Sequence, residues 1–430
     1  MSNTISDISL WLALAWPLLL AIPALHSRLP LPRHIAILPA ALLVVMPGDT
    51  SQLLPWLLFG TELAIDAETR WILVMSVIIW LVVATVSKAS LSVSGHDRST
   101  PLFMLTLAGN LGVILAADLV GFFFFATLMG YGFYGLLVYG GDVASRRAAR
   151  LYIIFLIIAD LALFEALLLA AFMTQELQFS AVRQTTVAEP VYQWLVLAGF
   201  VLKAGVWPFH LWLSATFKSA PRSATLLLGG VPVAMALLGL MRWLPLGESD
   251  FYGLGTVCQV TGVVALLYGM LRIYIRLEMK KLPAWGLVAA TGGGVALLGT
   301  GLVHPDFWHQ YQSLAYPVIA ALGFLSALVV SVIGWLEEHQ PAAANVQQVG
   351  ALSHWAARRG CLVRQSVAKR LAEFQSQVVS FQTQLVALRQ GIGQWQSLLD
   401  DAERCMRRWP AAITLLLLLA IVVALLAYGS

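Results

Sequence analysis

Charge is what this sequence has least of. Of its 430 residues, 11% are Asp, Glu, Lys or Arg, against about 25% in a soluble protein, and 59% are hydrophobic. A chain of that composition cannot cover a water-facing surface. It reads as a polytopic membrane protein whose core is bounded by lipid. The formal net charge of +4 is too small to point to nucleic acid. Cysteine is also scarce. Cys258, Cys361 and Cys405 show neither metal-ligand spacing nor an even framework, so they read as free thiols. The opening MSNTISDIS has no Lys or Arg before the first apolar run, so the n-region of a signal peptide is missing. There is no Walker loop, CxxC cluster or Gly-rich dinucleotide fingerprint, and no histidine at mid-membrane with a facing mate to bind haem. Redox or ATP chemistry is expected from other chains. No catalytic residue, cofactor or metal is expected of this one.

What is present is a series of apolar runs of spanning length or nearly so, at about 8–25, 35–47, 69–87, 101–117, 119–139, 149–173, 192–213, 223–241, 252–271, 284–303, 312–336 and 411–428. The second is short and holds Pro39 and Pro47. The loops then alternate in sign. One set carries Arg28 and Arg33; Lys88 and Arg98; Arg146, Arg147 and Arg150; Lys218 and Arg222; and Arg272, Arg276, Lys280 and Lys281. The other carries Asp49, Glu62, Asp66 and Glu68; Asp118; Glu176 and Glu189; Glu248 and Asp250; and Asp306, with Arg70, Arg183 and Arg242 as exceptions. By the positive-inside rule this predicts about twelve spans with both termini outside. The fold class is all-α.

The tail differs in kind. In 337–409, apolar residues from Val367 through Leu371, Phe374, Val378, Phe381 and Leu385 to Leu399 recur at steps of four and three. That period fits a soluble coiled coil or an amphipathic helix lying on the cytoplasmic membrane face. Gly391 and Gly393, and a span on either side, favour the surface helix. The expected domains are a transmembrane core over 1–336, a lateral helix over 337–409 and an anchor over 410–430.

One stretch organises the rest. Residues 195–213, LVLAGFVLKAGVWPFHLWL, read as a spanning helix with Lys203 at its middle. An ammonium at that depth costs roughly 2.5–3.5 kcal/mol on insertion scales and needs a carboxylate, a wet cavity or loss of its proton. Pro208 cannot donate to the Ala204 carbonyl, which would leave that oxygen free beside the lysine. His210, seven residues on, would share nearly the same helical face. The sixth span offers two carboxylates, Asp160 and Glu165, both near mid-membrane. They lie about 140° apart on a helix, so one of them is expected to face Lys203. The bland alternatives are a static buried ion pair and a structural histidine. Lys218 and Arg222 read as topology anchors. Pro232 and Pro317 interrupt the eighth and eleventh spans, and Gly292, Gly293 and Gly294 read as a close-packing site. Phe122, Phe123, Phe124 and Phe125 read as lipid- or neighbour-facing bulk.

Several segments resemble a known family. LLFGTELAIDAETRWILVM (57–75), ILAADLVGFFFFATLMGYGFYGLLVYG (114–140), LKAGVWPFHLWLSATFKSAPRSA (202–224) and LEMKKLPAWGLVAATGGGVALLG (277–299) are similar, in that order, to the antiporter-like subunits of respiratory complex I. The first matches a strand-like lead-in, the third a central-lysine helix. Relatives of those subunits serve Mrp-type cation/proton antiporters, membrane-bound hydrogenases and DAB-type inorganic-carbon accumulators. The resemblance implies a proton-translocating module in which a fifth-helix glutamate pairs with the seventh-helix lysine. Lys203 matches that lysine, Asp160 a family acid, and Lys280 a lysine at the tenth-helix opening. Thr127 stands where the glutamate would be. The eighth span has leucine and glycine at the usual histidine, and the second-repeat lysine position falls near Val318 in a span without charge.

The reading is a proton- or cation-translocating subunit of a multisubunit energy-coupling complex in the inner (cytoplasmic) membrane, with Lys203, Asp160, Glu165, His210 and Lys280 as candidate path residues. Its expected partners are the lipid bilayer and redox, Mrp-like or carbonic-anhydrase-like subunits. The alternatives are a structural scaffold without a complete ion path, and the proton-conducting partner of an inorganic-carbon uptake protein.

Overall fold

The computed structural model describes residues 2–22, 32–46, 48–55, 57, 60–90, 99–139, 141–174, 176–186, 189–248, 252–275 and 281–338. Within them the apolar runs fold as helix, because hydrocarbon leaves backbone N–H and C=O groups no partner but their own segment. In chain order they are α1 (Ser2–Leu20), a 3-10 turn (Arg33–Ile37) entering α2 (Leu38–Val45), strands β1 (Thr50–Leu54) and β2 (Thr61–Ile65), α3 (Ala67–Ser90), α4 (Ser99–Leu115), α5 (Leu119–Tyr139), α6 (Val143–Met173), α7 (Phe179–Thr186), α8 (Pro190–Ala204), α9 (Leu211–Ser219), α10 (Arg222–Leu228), a π turn (Gly229–Val233), α11 (Ala234–Trp243), α12 (Tyr252–Ile275), α13 (Leu282–Val303) and α14 (Pro305–Glu338). Among the described residues, seven helical segments are long and apolar enough to cross a membrane, and four shorter apolar helices stand beside them. The expected final span and nearly all of the expected lateral helix lie outside the described residues; Glu337 and Glu338 continue α14.

The segment Arg222–Trp243 is the axis, buried along its whole most apolar stretch. Pro232 has no N–H to donate, and the helix passes it through the π turn rather than breaking. Pro317 likewise lies inside an unbroken α14, so neither proline interrupts its span. Helices α12 and α13 meet along small residues. Gly255, Gly262 and Gly269 repeat every seven positions, and a Cβ added at Gly262 would stand 2.6 Å from the Gly292 carbonyl oxygen. This is the close backbone approach that small residues permit in a bilayer. Of the three consecutive glycines, only Gly292 serves this contact. Gly293 faces open space and Gly294 makes ordinary contact with Leu237.

One end of the bundle is tied by polar links. β1 and β2 pair antiparallel with Gln52 opposite Leu63, the strand character expected before the third span. Asp118 Oδ2 accepts the Glu62 N–H at 2.8 Å and Oδ1 the Gly121 N–H at 2.7 Å. The hairpin is thereby clamped to the start of α5. Burial pushes the Asp118 carboxyl above its ordinary value, although its backbone donors pull the other way.

The exceptions to the charge alternation have local work. Arg242 is buried and donates to the Val113, Ile114 and Ala116 carbonyls at 3.0, 2.9 and 2.9 Å, filling the orphan acceptors at the end of α4. Arg70 donates to the Gly48 carbonyl at 2.7 Å, and Arg183 to that of Phe179 at 3.3 Å. The phenylalanine run divides. Phe122 and Phe125 are fully buried and Phe124 is exposed. Phe122 sits edge-on to Phe179, Phe200 and Trp243, each at 6.0 Å between ring centres, so the run has a neighbour-facing side and a lipid-facing side.

Candidate ion-path site

Lys203 stands in the last turn of α8, and its Nζ lies 2.6 Å from Asp160 Oδ1 on α6. The two side chains are 9% and 10% exposed. Helices α6 and α8 pack side by side. Gly199 makes this possible, because a Cβ there would press into Leu163 and within 3.1 Å of the Ala159 carbonyl. Among the described residues no hydrogen-bond donor reaches Asp160 Oδ2, so the ammonium is the counter-charge of that carboxylate. Beside the pair is a cavity of about 20 Å³ lined by Lys203, Met129, Gly130, Tyr152, Trp212 and Pro232 among others. That is room for about one water.

Glu165 does not join them. Five residues after Asp160, it emerges on the exposed side of α6, as the angle between the two acids requires. Thr127, at the position of the family glutamate, is half-buried, and no donor or acceptor reaches its Oγ1 among the described residues. Val318 on α14 is 44% exposed. Lys280 lies outside the described residues. Lys218 is exposed and Arg222 half-buried at the opposite end of the bundle from the hairpin, where Arg222 Nη2 stands 3.5 Å from the Ser331 carbonyl.

The expected continuous helix from 195 to 213 is the main correction. α8 stops at Ala204. Gly205 takes a left-handed φ of +64° and its N–H bonds the Leu202 carbonyl at 3.3 Å, while the Val206 N–H bonds that of Val201 at 3.3 Å. This is a Schellman stop, and the chain crosses 206–210 in turns that include a cis Trp207–Pro208 peptide. Pro208 therefore frees no helical carbonyl. The Leu202 carbonyl also accepts the Trp212 indole N–H at 3.1 Å. His210 is the N-cap residue of α9 and fully buried, not two turns along one helix from Lys203.

Around His210 is a group the sequence did not mark. Its ring lies 5.1 Å from Tyr268 and 5.6 Å from Trp285. The Arg272 guanidinium stacks on the same two rings at 5.5 and 5.0 Å and donates from Nε to Tyr268 Oη at 3.1 Å. Arg272 reads from sequence as a loop cation; it is 1% exposed. A second buried polar knot joins α3 to α4. The Ser76 hydroxyl donates to Asn110 Oδ1, as does the Trp80 indole N–H at 2.9 Å. Asn110 Nδ2 lies 3.9 Å from the Met129 sulfur, and Met129 borders the Lys203 cavity. Asn110 and Ser76 sit in apolar runs, where only their polarity could have singled them out.

The arrangement is a lone amine and a lone carboxylate in apolar surroundings, at a helix break and next to a small cavity. The family model described as NADH:quinone oxidoreductase/Mrp antiporter, TM matches residues 116–357, more than half of the chain and all of this site. The chain belongs to that family. As a member of the antiporter family it is similar to NADH-quinone oxidoreductase subunit M of Pseudomonas aeruginosa, 28% identical over 306 residues, 62% of this chain and 60% of the relative. It is also similar to a component of a probable K(+)/H(+) antiporter of Rhizobium meliloti, 28% identical over 259 residues, 56% of this chain and 47% of the relative. It thus spans about half the length of the curated relatives it matches. The solved Mrp complex from Dietzia sp. contains a chain of the same fold, with a TM-score of 0.65 at 21% identity, covering 77% of this chain and 65% of that one.

Proposed function

We propose that this chain is a proton-translocating, antiporter-like subunit of a larger complex in the inner membrane, with the Lys203–Asp160 pair as its switch. The observation that carries the reading is the 2.6 Å contact between two near-buried opposite charges beside a water-sized cavity. Removing one member of a buried pair costs about 3–5 kcal/mol. A proton arriving on Asp160 removes the counter-charge of Lys203. The ammonium then lowers its free energy by passing its own proton into the cavity and on toward the break that ends at His210. Nothing covalent is needed; the step is electrostatics in a poorly screened site. The charge alternation supports both termini outside, and the heptad pattern supports a lateral helix over 337–409 followed by an anchor over 410–430.

Proton flux into vesicles carrying the assembled complex tests this. Lys203→Ala should lower flux more than tenfold. Lys203→Arg should do so too, since a guanidinium keeps its proton, while assembly is retained in both. If flux is unchanged in both variants with the complex intact, the switch is wrong. The second reading, a scaffold without a complete path, is favoured by α14: it is unbroken, and Val318 lies among apolar residues where the family would place a lysine.

A further inference from the structure

Glu165 is the one acid of the sixth span that the ion pair does not use. It lies 15 residues past Arg150 and eight before Met173, which is about 22 Å and about 12 Å along a helix. With Arg150 at one surface of a hydrocarbon layer of about 30 Å, Glu165 lies about 8 Å below the other surface. Its side chain is exposed. The surface around it is continuous: Ile157, Leu161, Phe164, Leu168 and Phe172 share its exposed face of α6 at helical spacing. Phe164 meets Phe123 of α5 at 5.9 Å between ring centres, so α5 borders this face of α6. A carboxylate turned to lipid costs roughly 2.5–3.5 kcal/mol even on lenient scales, and acids at this depth otherwise pair or face a cavity.

We infer that this face of α6 is a subunit interface, occupied by a membrane-spanning helix of another protein that presents a Lys, Arg or His to Glu165. Charge complementarity selects that occupant. An acyl chain offers no counter-charge, and a headgroup would have to descend about 8 Å into hydrocarbon to supply one. Asp160 lies on the buried side of the same helix, so a partner docked here abuts the helix that carries the proposed switch. The inference stands apart from the transport reading, because it concerns what covers Glu165 and not what Lys203 does.

The test uses the full chain in its native complex. A photo-reactive residue is placed at Leu161, 61% exposed, and as a control at Leu267 on α12, 58% exposed; the cross-linked peptides are sequenced. Leu161 should capture a spanning segment of a different chain with a basic residue within one turn of the cross-link, and Leu267 should not capture that segment. Glu165→Lys should then lower recovery of that partner at least tenfold, Glu165→Gln should lower it less, and the partner's basic residue changed to Glu should restore recovery with Glu165→Lys. Lys203→Ala, which tests the switch, should leave partner recovery unchanged. Cross-links to lipid only, to a second copy of this chain, or to a segment without a basic residue would overturn the inference. So would undiminished recovery with Glu165→Lys.

Discussion

Asp160 faces one strong partner, and its loss has a direction. Asp160→Asn removes the counter-charge permanently, so an arriving proton can no longer switch Lys203; flux should fall by at least the tenfold expected for Lys203→Ala, and the assembled complex should unfold at lower temperature than wild type. Asn110 makes a different kind of contribution. Asn110→Leu strips the acceptor from a serine hydroxyl and a tryptophan N–H, both buried. It should cost about 2 kcal/mol in detergent unfolding. Lys203 and Asp160 were legible from sequence because a charge at bilayer depth is expensive wherever it points; Arg272, at a span end, was not. The neutral members were not, since an asparagine or serine in an apolar run gains its meaning only from the helix it meets. His210 was misplaced because Pro208 drew the reading, while Gly205, the residue that ends the helix, looks like any glycine in a membrane span until its φ is known.

At the scale of elements, the α12–α13 seam and the Arg242 cap are the two contacts most exposed to mutation. Gly262→Leu should force α12 away from α13 and lower the unfolding temperature sharply. Gly293→Ala, with nothing within 4 Å of the new methyl, should stay within about 0.5 kcal/mol of wild type. Arg242→Met removes the donors of three carbonyls and should cost about 3 kcal/mol. Asp118 adds a pH dependence at the hairpin. Its carboxyl is held above the ordinary value, so the folded state retains its proton better than the unfolded chain does. That contribution is complete below the unfolded value of about 4 and is lost as pH rises through the folded value. Unfolding measured from pH 3 upward should therefore show wild type losing stability relative to Asp118→Asn. Among the described residues, most helix positions followed from hydropathy. The break at 205–210, the π turn and the continuity of α14 did not, because each depends on what the backbone packs against.

For the whole molecule, the family fixes the architecture, and the half-length match to its relatives fixes how far their activities carry. The close Lys203–Asp160 ion pair lies in the first half of the chain, so the proposed charge movement runs through α6 and α8. The stop at Gly205 has a consequence for that movement. The final carbonyls of α8 sum to about half a negative charge at the helix terminus, and Lys203 extends from that terminus. The amine is therefore never wholly without an anion: when Asp160 is neutralised, the helix macrodipole remains. In the proposed switch the dipole of α8 is fixed and opposes release, and Asp160 is the part that changes.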